Sequence, residues 1–84
     1  MYVVYILKSR VAEKTYVGHT DNLERRLIQH NNGNSIFSKR YRPWEIIYSD
    51  FFATLEEVIK REKYFKSAVG RRWMKKNLFT HVLK

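Results

Sequence analysis

The run Tyr2-Val3-Val4-Tyr5-Ile6-Leu7-Lys8 constrains this chain more than any other segment. It is apolar at odd and even positions alike and rich in β-branched and aromatic residues. As a strand it therefore has no polar face and must be buried on both. A chain of 84 residues leaves no room for a second core, and at this size about 60–68% of the unfolded surface is buried. One domain spanning residues 1–84 is the expectation. The 44% hydrophobic and 15% aromatic content supports a folded globule rather than a disordered tail.

The remaining pattern organises around that strand. Residues 9–14 are polar and fit a hairpin connection into a second short strand at 15–19. Asp21 is placed as a helix N-cap, with Glu24 three positions on, opening a helix from 22 to 30 or 31. Asn31-Asn32-Gly33-Asn34-Ser35 stops it. Residues 36–43 read as a basic loop ending at Pro43, and 44–52 as a third strand. Thr54-Leu55-Glu56-Glu57 is a capping box for a second helix through about 68. Gly70 is expected to break that helix before a last short one over 71–78. The order β-β-α-β-α-α gives an α+β fold, a three-stranded, mostly antiparallel sheet flanked by helices.

Absence of cysteine excludes disulfides and thiolate metal sites. The apolar start is short, lacks a basic lead-in and has no small-residue cleavage site, so it reads as a strand rather than a signal peptide. No apolar run approaches the roughly 20 residues of a membrane span. The expected setting is a reducing cytoplasm. Seventeen Lys and Arg against eight Asp and Glu leave a net charge of +9, which points to polyanionic partners. Nucleic acid comes first and an anionic membrane surface a distant second.

Among the acidic residues, seven have ordinary explanations: a loop for Glu13, capping for Asp21 and Glu24, strand flanks for Glu45 and Asp50, and a first helical turn for Glu56 and Glu57. Glu62 does not. The apolar stripe of its helix is assigned to Leu55, Val58, Ile59, Phe65 and Val69, and position 62 falls on that stripe. A carboxylate there costs several kcal/mol unless it is paired or binds a cation. Either a basic partner and a wet position or a metal or catalytic role would account for it.

The first helix carries a similar signal. Leu23 and Leu27 define its inner face, and Arg26 and His30 fall on or beside it, while Arg25 points elsewhere. Arg26 cannot act as a base, but it can stabilise the added negative charge of a phosphoryl transition state. His30 is either a satisfied core residue or a substrate contact. His19, leaving the second strand, could supply a proton or touch a phosphate. Tyr5 and Tyr16 are good strand formers, and a plain hairpin would explain both. Gly18 would let the backbone approach a phosphate.

Taken in order, these residues resemble the GIY-YIG endonuclease domain over essentially the whole chain. Val3-Val4-Tyr5 stands where that family has Gly-Ile-Tyr, and Tyr16-Val17-Gly18 where it has Tyr-Ile-Gly. Arg26 matches its arginine, and Glu62, within Arg61-Glu62-Lys63, its metal-binding glutamate. Asn77 matches a final asparagine more weakly. Val3 departs from the motif glycine. Related domains occur in homing endonucleases, some restriction enzymes and the incision subunit of bacterial excision repair. The stretch from Lys39 to Trp44 is more similar to short stand-alone bacterial members.

The resemblance implies phosphodiester hydrolysis in DNA with a single Mg²⁺ or Mn²⁺ held by Glu62. It casts Tyr16 as candidate general base, Tyr5 as the residue orienting the water, and His19 and Arg26 as catalytic neighbours. A tyrosine side chain ionises only near pH 10, so its neighbours would have to favour the phenolate. Gly18, His30 and Asn77 are the expected substrate contacts near the centre. Lys39, Arg40 and Arg42 with Arg71, Arg72, Lys75 and Lys76 are expected to grip the backbone, and Tyr41 to stack on a base. Such contacts carry little sequence information, so weak sequence preference follows, with repair or recombination as the setting. A non-catalytic nucleic-acid-binding module on the same scaffold is the alternative, and a purely structural or protein-interaction role a third. The grip account has a direct test: in a fluorescence-anisotropy titration, DNA affinity should fall at least about tenfold between low and moderate salt, and a flat response would remove it.

Overall fold

A computed structural model describes residues 1–33 and 36–78 of the chain. Strand β1 (Tyr2–Ser9) is central. It pairs antiparallel with β2 (Thr15–Thr20) on one side and with β3 (Trp44–Phe52) on the other, so the sheet runs β2-β1-β3. Helix α1 (Leu23–Asn31) follows β2, and α3 (Leu55–Lys66) and α4 (Ala68–Asn77) follow β3. The expected α+β order is present with one addition: where a basic loop was expected over 36–43, a short helix α2 (Ile36–Tyr41) precedes β3.

Burial of β1 is two-sided, as its composition demands. Val4 and Ile6 pack on one face with Val58 and Phe65 of α3 and Met74 of α4. Tyr5 and Leu7 pack on the other with Trp44, and Tyr16, Leu23, Leu27 and Tyr41 complete that side. The four β1 side chains are at most 1% exposed. Fully burying residues of this size contributes about 1.5–3 kcal/mol each, so β1 anchors both layers.

A β-bulge between β1 and β3 sets which layer each aromatic of β3 joins. Ile6 pairs with Tyr48 but Leu7 pairs with Ile46, leaving Ile47 as the extra residue. Beyond the bulge the alternation reverses. Trp44 therefore joins the α1 layer while Tyr48 and Phe52 join the α3 layer, although four and eight positions would otherwise put all three on one face.

Helix α2 forms because tertiary partners satisfy its terminal carbonyls, which a six-residue helix cannot do alone. The Trp44 indole N–H donates to the Ser38 carbonyl at 3.0 Å, and the Ser9 hydroxyl donates to the Tyr41 carbonyl at 2.5 Å. Asn31 joins α1 to β3: its Oδ1 accepts from the Trp44 N–H at 2.6 Å and its Nδ2 donates to the Trp44 carbonyl at 3.3 Å. Trp44 itself is 3% exposed.

Several element ends differ from the sequence reading. The N-cap of α1 is Asn22, whose side chain accepts from the Arg25 N–H. Asp21 instead pairs with Arg25 at 3.0 Å, one turn along. Gly33 ends the α1 segment with φ +76, which only glycine adopts freely; the rest of the proposed stop, Asn34 and Ser35, lies outside the described residues. Thr54 caps α3 by accepting from the Glu57 N–H, as expected.

The break after α3 is at Ser67, not Gly70. Ser67 is the C-cap of α3 and the N-cap of α4 at once: its hydroxyl donates to the Tyr64 carbonyl and accepts from the Gly70 N–H. Gly70 lies inside α4, where an added Cβ would stand 1.9 Å from the Tyr64 carbonyl oxygen, so it permits the tight turn between the helices. The inner stripe of α3 also needs correction. Leu55 and Val69 are exposed, at 44% and 55%; Val58 and Phe65 bury the helix, with Ile59 beside them. A helix end and a change of axis at Ser67 remove Val69 from the stripe that its spacing suggested.

Candidate active site

Tyr5 and Tyr16 come together through the register of the first hairpin. Tyr5 lies opposite Gly18 and Leu7 opposite Tyr16, so the tyrosines are diagonal neighbours on one face. Their rings stack with centroids 6.2 Å apart. Gly18 makes this possible, since a Cβ there would stand 2.7 Å from the Tyr5 hydroxyl and 2.9 Å from the Tyr16 ring. In this structure the motif glycine provides space for the tyrosines.

Helix α1 closes over the pair. Arg26 Nε donates to the Tyr5 hydroxyl oxygen at 3.3 Å, and its Nη1 donates to Gln29 Oε1 at 3.2 Å. His30 Nε2 is 3.3 Å from the same hydroxyl, and its ring lies 4.4 Å from that of Tyr16. Burial pushes the Tyr5 hydroxyl above its ordinary pKa despite the Arg26 hydrogen bond, so it keeps its proton. Burial and the nearby Arg26 charge lower His30, which stays neutral. The Tyr5 hydrogen bond, with a smaller contribution from Tyr16, holds Arg26 as a permanent cation against its own burial. With each group in its favoured state, Arg26 donates to Tyr5 and Tyr5 donates to His30.

The second part of the site lies across β2 on the α3 side. His19 Nδ1 is 2.5 Å from Glu62 Oε1, and Lys66 Nζ donates to Glu62 Oε2 at 2.7 Å. Burial pushes the Glu62 carboxyl up, but the hydrogen bonds and charges of Lys66 and His19 outweigh it, so the group sits below its ordinary value. It is a carboxylate on a largely buried face, its side chain 18% exposed. Its charge is felt at Tyr5. The two sets thus lie on opposite faces of the sheet, either side of the edge strand β2.

The basic residues fall into two groups. Lys39 and Arg40 lie on α2 and Arg42 just after it, all exposed; Lys39 and Arg42 pack around Gly33. Tyr41 is half-buried, with Lys14 and Arg40 over its ring at 5.6 and 5.7 Å, which leaves it packing rather than free to stack. Arg71, Arg72 and Lys75 are exposed on α4, and Arg71 borders a cleft shared with Tyr16. Asn77 Nδ2 donates to the Trp73 carbonyl of its own helix at 2.8 Å, so its side chain is engaged locally.

The GIY-YIG catalytic domain family matches residues 1–77 of this chain. The chain belongs to the GIY-YIG family. A UPF0213 protein of Clostridium perfringens is 40% identical over 67 residues, spanning 79% of this chain and 71% of that protein. Another, from Staphylococcus saprophyticus, is 34% identical over 67 residues, spanning 79% and 80%. The solution NMR structure of a UPF0213 protein from Bacillus halodurans aligns with a TM-score of 0.52 over 88% of this chain and 82% of that one. At 24% identity this last likeness speaks for the fold alone. Membership places the chain in a nuclease family and implies DNA as the substrate. No helix among the described residues is long and apolar enough to cross a membrane.

Two site neighbours were not singled out from sequence. Lys66 follows Glu62 by four positions, the spacing of a helical ion pair, and that signal was available. Gln29 follows Arg26 by three positions, also a helical neighbour spacing, and accepts from its guanidinium. Val3, in place of the motif glycine, is 3% exposed and pairs with Thr20 and Phe51, so its extra bulk is taken up in packing.

Substituting Gly18→Ala should displace both tyrosine rings and destabilise the fold by about 1–3 kcal/mol, measured by urea unfolding. The pH dependence of stability should report His30. Its unfolded value is 6.5 and its folded value is lower; between the two the unfolded chain binds more protons, so stability present above 6.5 is lost as pH falls. The urea midpoint should therefore drop between about pH 7.5 and about pH 5.5, and His30→Gln should flatten that slope.

Proposed function

We propose that this chain is a metal-dependent endonuclease that hydrolyses DNA phosphodiester bonds with weak sequence preference, in repair or recombination. The observation that carries the reading is the Arg26–Tyr5–His30 chain packed on Tyr16 of β2, the strand whose His19 pairs with an ionised Glu62. A fixed cation, two stacked tyrosines and one largely buried carboxylate are more than nucleic-acid binding requires. The lack of cysteine fits a reducing cytoplasm.

The donor set bears on the metal. Among the described residues no group of three or more His, Cys, Asp or Glu could hold an ion. One ionised carboxylate suits Mg²⁺ or Mn²⁺ of the kind that keeps several waters and takes substrate phosphate oxygens as further ligands. Glu62 would hold it, with Lys66 released from Oε2. When bound, the ion supplies Lewis-acid polarisation of the phosphate.

The protein's own groups account for the remaining chemistry. Tyr16 would act as the general base that takes a proton from the attacking water as the water oxygen bonds to phosphorus and the opposite P–O bond breaks. Tyr5 keeps its proton and holds Arg26 in place. Arg26 meets the charge that develops on the non-bridging oxygens. His19, beside Glu62, would give a proton to the departing oxygen.

A binding module is the second reading, favoured by the occupation of both Glu62 oxygens by His19 and Lys66. A nicking assay on supercoiled and branched DNA with Mg²⁺ or Mn²⁺ separates the two. Wild type should cleave, Glu62→Ala should fall to background, and Arg26→Ala should lose about 10²–10³ in rate while keeping most of its DNA affinity. Equal cleavage by wild type and Glu62→Ala would leave only the binding reading.

A further inference from the structure

A cleft of about 460 Å³ opens beside the candidate site, between β2, the end of α3 and the start of α4. Val17, Phe65 and Met74 supply its apolar surface, and Lys66 and Arg71 its cationic side chains. Its size lies within the roughly 300–1,000 Å³ of small-molecule pockets. The proposed hydrolysis uses neither this volume nor Arg71.

Two further observations indicate what it would hold. The cleft includes Tyr16, the proposed base, and Lys66, which is bonded to Glu62. An occupant would therefore lie along the edge strand β2, next to the Lys66 partner of Glu62. In addition, an apolar floor with a guanidinium and an ammonium at the side matches a flat aromatic ring joined to an anionic linkage. Paired bases in a duplex are stacked and out of reach, so only an unpaired or extruded one could enter.

We infer that this cleft is a nucleobase subsite: it accepts one unpaired base next to the scissile phosphate, with Arg71 on the adjoining phosphate, and selects DNA carrying an unpaired nucleotide at the cut. This deepens the nuclease reading and rests on it for the position of the cut, but base capture itself needs no cleavage. Val17, Phe65 and Met74 form the floor against which one face of the base would lie. Lys66, when released from Glu62, is in reach of the same strand.

Binding is measured by anisotropy in EDTA, with circular dichroism as the check on folding. The probes are three duplexes: one with a single bulged 2-aminopurine, one with a bulged abasic nucleotide and one fully paired. The bulged base should bind about tenfold or more tightly than the abasic bulge, and its emission should change on binding. Val17→Phe, which fills the cleft, should abolish that difference while leaving affinity for the paired duplex. If that variant does not fold, Arg71→Ala serves instead and should weaken the bulged duplex more than the paired one. Equal affinity for base and abasic bulges, or discrimination retained by a folded Val17→Phe, would overturn the subsite. Cleavage by wild type without discrimination removes the subsite alone; discrimination without cleavage supports the subsite and removes the nuclease reading.

Discussion

Everything in this fold hangs on a central strand with no free face. Val4 and Ile6 are buried against α3 and α4, Tyr5 and Leu7 against α1 and Trp44. A strand in that position cannot shift by one residue without exchanging its two sets of side chains between layers. Its registers with β2 and β3 are correspondingly set, and with them the positions of Tyr5, Tyr16 and Gly18. The site is thus an outcome of packing: the residue that anchors the α1 layer is the one whose hydroxyl meets Arg26 and His30.

Tyr5 shows how structural and chemical roles coincide in so small a protein. Its ring fills space that a side chain at position 18 would occupy, while burial keeps its hydroxyl protonated. A protonated, buried hydroxyl holding a guanidinium gives a positive group of fixed direction, which costs little to reorganise during a reaction. Glu62 shows the opposite balance. Burial alone would favour its neutral form, and the interactions with Lys66 and His19 outweigh it. Those partners occupy both oxygens of the carboxylate.

Much of the candidate site was legible because helical and strand periods place side chains reliably over one or two turns. Arg26 and His30, four apart beside Leu23 and Leu27, both reach Tyr5. Glu62 was recognisable as a carboxylate out of place, even though Leu55 and Val69, used to define its stripe, proved exposed. For Val69 the error arose because periodicity continues on paper past Ser67, where the chain changes axis. The α2 helix escaped notice for a related reason: its carbonyls are satisfied by Trp44 and Ser9, partners that no local pattern reveals. Lys39, Arg40 and Arg42 were right as exposed cations, but charge alone does not say which surface they share.

By itself, the sequence determined the elements other than α2, their order and the residue types fit for phosphate chemistry, since propensity, capping and two-faced burial are local properties. Tertiary structure alone decided three things. The bulge at Ile47 divided the aromatics of β3 between layers. The hairpin register turned Gly18 into space for Tyr5 and Tyr16. The approach of α3 to β2 gave Glu62 its partner His19 and opened the cleft beside it. Each depends on contacts between residues far apart in the chain, which pattern and spacing do not encode.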